Sequence, residues 1–135
     1  MSDLYPSART LAATTGINWL TWDVRIVLVD SGYVYSTAHN FLDDVAGAAR
    51  VATSAALAGK TVSSGTCDAN DVAFAALSGD TVTGIVVYHH TGVESTADLL
   101  VYYDRLSTGS IIDFSPSGLD ATVRWSNSAT KMFQL

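Results

Sequence analysis

Two runs decide the fold: TVTGIVVYH over Thr81–His89 and ADLLVYY over Ala97–Tyr103. Each is short, apolar and rich in Val, Ile or Tyr, side chains that suit a pleated surface. Between them lies Thr91-Gly92-Val93-Glu94-Ser95, a loop with a glycine. Two such runs so close in sequence predict an antiparallel hairpin.

Working toward the N-terminus, Thr21 to Asp30 alternates. Val24, Ile26 and Leu28 share one face, and Arg25, Val27 and Val29 the other. The far end of this strand is apolar on both sides and so is expected to be covered on both. Asp30-Ser31-Gly32 reads as a turn, with Tyr33-Val34-Tyr35 returning as a second strand. Phe41, Leu42 and Val45 have one-turn spacing, and Asn40 is placed to cap, which predicts a short helix or 3₁₀ turn. Ala46 to Ala58 reads two ways. Its alanines favour helix, whereas Ala49, Val51, Thr53, Ala55 and Leu57 alternate as in a strand. Ser7 to Thr15 is equally open between a strand and a helix of one to two turns. Before it, Ser2 to Pro6 reads as an arm, because Pro6 biases Tyr5 to extended backbone.

Further strands are expected at Thr61-Val62, Val72–Leu77, Ser110–Phe114, Ala121–Trp125 and Thr130–Leu135. Turn signals separate them at Ser63-Ser64-Gly65, Ser78-Gly79-Asp80, Ser115-Pro116-Ser117-Gly118 and Ser126-Asn127-Ser128. About eight or more short strands in one chain indicate a sandwich or barrel. The expected fold is mostly all-β: an antiparallel β-sandwich or jelly-roll-like barrel with one or two short helical turns. Residues 1–135 read as a single β domain, with 1–15 as an N-terminal arm.

Composition agrees. Twelve of the thirteen acids are Asp, only Lys60 and Lys131 are lysines, thirty residues are Ser or Thr and fourteen are Val. Helical surfaces are usually built from Glu and Lys, so this chain is not a helical bundle. Hydrophobic residues reach 48%, which argues against disorder. The net charge of −6 with no basic run argues against nucleic-acid binding. No apolar run approaches the ~20 residues of a membrane span, and the start lacks a secretory pattern.

The residues that carry chemistry do not assemble into a motif. His89 and His90 are neighbours on a strand and point to opposite faces, which suits no shared metal. Asp68-Ala69-Asn70-Asp71 opens like a calcium loop, but Ala73 and Gly79 stand where glycine and glutamate are needed. Asp43-Asp44 lacks a partner base. Cys67, the one cysteine, lies in the turn-like Ser64–Asp68 with no cation nearby. No catalytic, cofactor or metal residue is therefore expected. Trp19, Trp22, Tyr33, Tyr35, Tyr88, Tyr102, Tyr103 and Trp125 suit either core or interface anchors or a carbohydrate platform, with the interface favoured over the sugar.

Several stretches resemble one family. They include Gly16-Ile17-Asn18-Trp19, Val24–Val29, His39–Val45, Leu57–Val62, Ala73–Asp80, Ile85–Tyr88, Thr91-Gly92, Leu99–Asp104 and Met132–Leu135. Together they resemble small structural proteins of tailed bacteriophages. The resemblance spans nearly the whole chain, and it favours the strand reading of Ala46–Ala58. It implies a non-enzymatic virion component assembled in the host cytoplasm. The first expectation is a capsid decoration (cement) protein bridging capsid subunits, with the major capsid protein and further copies of itself as partners. A tail or head–tail joining component, or a carbohydrate- or receptor-binding module on the virion, is the alternative. No small-molecule substrate, nucleic acid or membrane partner is expected. The interface residues expected on this reading are Leu4, Tyr5, Trp19, Trp22, Met132, Phe133 and Leu135. If the last strand is an interface strand, removing Met132 to Leu135 weakens incorporation and spares the fold. If it belongs to the core, the fold is lost.

Overall fold

The structure, a computed structural model, describes residues 2–106, 108–126 and 132–134. In chain order the elements are β1 (Ser2–Leu4), α1 (Pro6–Ala13), β2 (Val24–Val29), β3 (Arg50–Thr53), β4 (Thr61–Ser63), β5 (Thr66–Asp68), β6 (Val72–Phe74), β7 (Gly84–His89), β8 (Leu99–Tyr103), β9 (Ala121–Val123) and β10 (Phe133–Gln134). Short 3₁₀ turns lie at Leu42–Asp44, Gly47–Ala49 and Glu94–Thr96. The fold is mostly β, and its sheets are antiparallel.

The main sheet has five strands in the order β1-β8-β7-β2-β3. At its centre, β7 and β8 pair antiparallel, Ile85 opposite Tyr103 and Val87 opposite Val101, as the two quoted runs predict. On the other side of β7, β2 pairs from Val24–His89 to Val29–Gly84. Val24, Ile26, Val27 and Val29 are all fully buried, so this strand is covered on both faces, as its pattern predicts. One buried backbone group leaves the ladder without going unpaired. Beyond β3, the Ile26 N–H donates to Ser54 Oγ (3.0 Å), and the Ser54 hydroxyl donates to Ala55 O (2.7 Å).

β8 shows why a one-residue alternation matters. Tyr102 turns to one face and stacks on Tyr35 (centroids 5.4 Å apart) with Tyr33 at its edge. Tyr103 turns to the other, where its hydroxyl donates to Met132 O (2.5 Å) and its ring meets Trp125. On that second side stand the smaller sheets, β10-β5-β4 and β6-β9.

Among the described residues Gly84 is the strand glycine where a side chain has no room. A Cβ there would lie 2.8 Å from Tyr102 Cε1 and 3.1 Å from Val29 Cγ2. Gly84→Ala is therefore expected to destabilise by about 1–3 kcal/mol, the usual cost of overpacking. That exceeds the gain of roughly 0.4–1 kcal/mol from a stiffer unfolded chain. Urea unfolding decides the sign, and a neutral or stabilised variant would refute the packing argument.

Several expectations are corrected. The stretch 1–15, read as an arm, is docked over its described part: β1 adds to β8 with Leu4 opposite Val101, and Tyr5 N donates to Leu100 O (3.0 Å). Pro6 takes the first helical position, where its missing N–H costs nothing, and α1 ends where Gly16 (φ +88°) donates to Leu11 O. Tyr33–Tyr35 is not a strand, because both edges of β2 are already taken by β7 and β3. Of Ala46–Ala58 only Arg50–Thr53 is strand. The Arg50 guanidinium holds the turn before it, donating to Leu42 O, Val45 O and both Glu94 carboxylate oxygens.

Thr66–Asp68, expected as turn, is a strand. It pairs with β4 through Ser64 (φ 50°) and Gly65 (φ 78°), two left-handed residues that make a tight hairpin. Val72–Leu77 and Ala121–Trp125 shorten to β6 and β9. Ser110–Phe114 makes only the isolated bridges Arg105–Ile111 and Val82–Phe114. Of the terminal strand expected over 130–135, positions 130, 131 and 135 lie outside the described residues.

Candidate functional site

The expected interface residues separate on burial. Leu4, Tyr5, Trp19, Met132 and Phe133 are buried in the chain's own core. Leu135 lies outside the described residues. Trp19 is fixed twice: its Nε1–H donates to Asp68 O (2.9 Å), and its ring stands at 88° to Phe133, 5.2 Å away. Tyr5 sits under Tyr35 and its hydroxyl meets that of Tyr33 at 2.6 Å, which in turn meets His39 Nδ1 at 2.9 Å. Burial pushes the Tyr33 hydroxyl up to about 12 and the Tyr5 hydroxyl up as well. This tyrosine–histidine chain ties the N-terminal segment to the 33–39 loop.

Trp22 is half-buried, and its ring lies flat on His89, 3.8 Å between centroids and 3° from parallel. Behind that stack, Asp98 Oδ2 is 3.8 Å from His89 Nδ1, too long for a hydrogen bond. Burial holds the His89 imidazole below its ordinary range and lifts the Asp98 carboxyl, each opposed by the other's charge. His90 faces Tyr88 instead, so the adjacent histidines look at different neighbours. Among the described residues no three His, Cys, Asp or Glu side chains are grouped to hold a metal.

The remaining polar motifs hold the chain together. Asp44 accepts from the N–H of Asn40 (2.8 Å) and Phe41 (3.2 Å), and those bonds keep its carboxyl below the usual range. The expected cap is thus reversed: Asp44 closes the turn, not Asn40. Asp71 accepts from Trp125 N, and Asn70 O from Trp125 Nε1, so this run pins the segment after β9. Cys67 is buried in β5, and burial pushes its thiol up to about 11.

The surface carries what the sequence reading missed. Leu106 is 54% exposed, Ile111 63%, Phe114 45% and Leu119 72%, all within the turn-rich segment after β8. The available signal was the density of Ser, Thr, Gly and Asp around these apolar residues, which leaves the expected strand at Ser110–Phe114 with isolated bridges and no face to bury Ile111 and Phe114. Two open clefts flank the main sheet: one of about 550 Å³ beside Asp30 and Asp80, and one of about 590 Å³ between α1 and the 37–41 loop.

No protein-family model matches the chain, and no curated protein matches its sequence.

Proposed function

We propose that this chain is a non-enzymatic structural protein of a tailed-phage virion, a decoration protein that docks on the major capsid protein through its 106–119 segment. The observation that carries the reading is that four exposed large apolar side chains, Leu106, Ile111, Phe114 and Leu119, fall in one segment, whereas Leu20, Val34, Val62 and Val93 are exposed at separate places and Leu4, Tyr5, Trp19, Met132 and Phe133 turn inward. Covering a half-exposed side chain of this size contributes roughly 1 kcal/mol, from the ~25 cal/mol per Å² of apolar area. Four of them bind weakly as a single contact. Repeated over a symmetric shell, with several contacts per copy, weak contacts add. The net charge of −6 suits an outer surface better than packaged DNA. The resemblance to small phage structural proteins supports the same class.

The test replaces Leu106, Ile111, Phe114 and Leu119 together by Ser and measures the protein retained on purified particles. Incorporation is expected to fall about tenfold or more, with the circular dichroism melt little changed, because these side chains are outside the core. Undiminished incorporation would overturn the docking assignment, and absence of the unaltered chain from particles would overturn the virion reading.

A further inference from the structure

We infer that the groove between α1 and the 37–41 loop binds a neutral polyhydroxylated ligand, a mono- or oligosaccharide. The groove holds about 590 Å³ and is lined by Thr10 from α1 and Thr14 just after it, by Thr37, Asn40 and Phe41 from the loop, and by Asp98. Its lining includes one carboxylate and no Lys, Arg or His. An anionic ligand would meet Asp98 without a counter-charge. A purely apolar ligand would leave the Asn40 amide and the Asp98 carboxylate without partners, which is costly. A sugar fits both demands. Its hydroxyls donate to a carboxylate, accept from an amide N–H, and do either with threonine. Its C–H face packs on a ring such as that of Phe41.

Asp98 Oδ2 has acceptor capacity to spare, since the His89 imidazole beside it stands 3.8 Å away, beyond hydrogen-bond distance. Burial lifts its carboxyl, in keeping with a carboxylate short of hydrogen-bond donors. The facing loop is held in advance. Asp44 accepts two of its N–H groups, Leu42 N donates to Ala97 O, and Leu99 N donates to Asn40 O. Binding therefore costs little ordering of the backbone. The three tryptophans that first suggest a sugar platform are elsewhere: Trp19 is in the core, Trp22 is covered by His89, and Trp125 lies against Tyr103. This site does not depend on the capsid-docking reading, and its test uses the isolated chain.

The experiment is an amide NMR titration of the full chain with glucose, galactose, mannose and N-acetylglucosamine, each to about 100 mM, far enough to saturate a millimolar site. Sodium sulfate serves as the anion control. At least one sugar is expected to give saturable shifts confined to residues 6–15, 37–41 and 98, and sulfate none. Asp98→Asn should weaken that binding about tenfold. Thr10→Ala, at an exposed helix position where the fold is not at risk, should weaken it several-fold. No saturable shift with any of the four sugars would overturn the proposal. So would shifts unaffected by both substitutions, or sulfate binding in the groove.

Discussion

Ending the chain at residue 131 is expected to remove most of its stability and to uncover its one thiol. Met132 and Phe133 are buried, Phe133 against Trp19 and opposite Cys67, and Met132 N donates to Cys67 O. Truncating a buried Phe costs about 3–5 kcal/mol and a buried Met about 2–5 kcal/mol. Whole domains are stable by about 5–15 kcal/mol. The two losses together rival that total, so the truncated chain should melt far below the full one or be unfolded at room temperature. Cys67 reports the same event independently. Covered by β10 and raised to about 11 by burial, its thiol should resist Ellman's reagent in the intact protein. After truncation it should react at the rate of an unfolded thiol. An unchanged melt with a still-protected thiol would show that the C-terminal strand is dispensable to the core. Of the two outcomes the sequence leaves for this strand, burial selects loss of the fold.

Replacing Tyr5 is expected to separate packing from hydrogen bonding. Tyr5→Ala empties a fully buried aromatic site beneath Tyr35 and beside Tyr33, and should cost about 3–5 kcal/mol, as for other buried aromatic residues. At about 3–4 °C per kcal/mol for a domain of this size, the melt should fall by roughly 10–20 °C. Tyr5→Phe keeps the ring and loses one hydroxyl. Tyr33 retains His39 as a partner, so the loss should be only about 0.5–1.5 kcal/mol. The alkaline side gives a second readout. Both hydroxyls are raised by burial, so their contribution is intact below the ordinary tyrosine range of about 10 and is lost as pH rises above it. That alkaline loss should be smaller in Tyr5→Phe. Equal melts for the Ala and Phe variants would mean that the N-terminal segment is not docked as described.

Much of the candidate site was out of reach of the sequence, for a reason visible in particular residues. Asp98 reads as an ordinary acid beside a strand, and Thr10 and Thr14 as polar positions on a short segment. Only the docking of α1 beside β8 brings them to one groove with Asn40 and Phe41. Likewise Leu4, Tyr5, Met132 and Phe133 are apolar residues near the termini. Apolarity says that they must be covered, not by what. The strand β10 supplies the answer by pairing with β5, far away in sequence.

What local sequence determines here is strand character and hairpin pairing where the signal is short-range. The alternation of β2 and the β7–β8 pair follow from period-two burial and a short connection, and both are visible residue by residue. What only the tertiary structure decided is competition for partners. Tyr33–Tyr35 has strand residues but finds both edges of β2 occupied, and Thr66–Asp68 has a turn-like composition but gains a strand on each side from β4 and β10. A strand exists only when another backbone satisfies its N–H and C=O groups, and which backbone occupies an edge is a property of the whole chain, not of the segment.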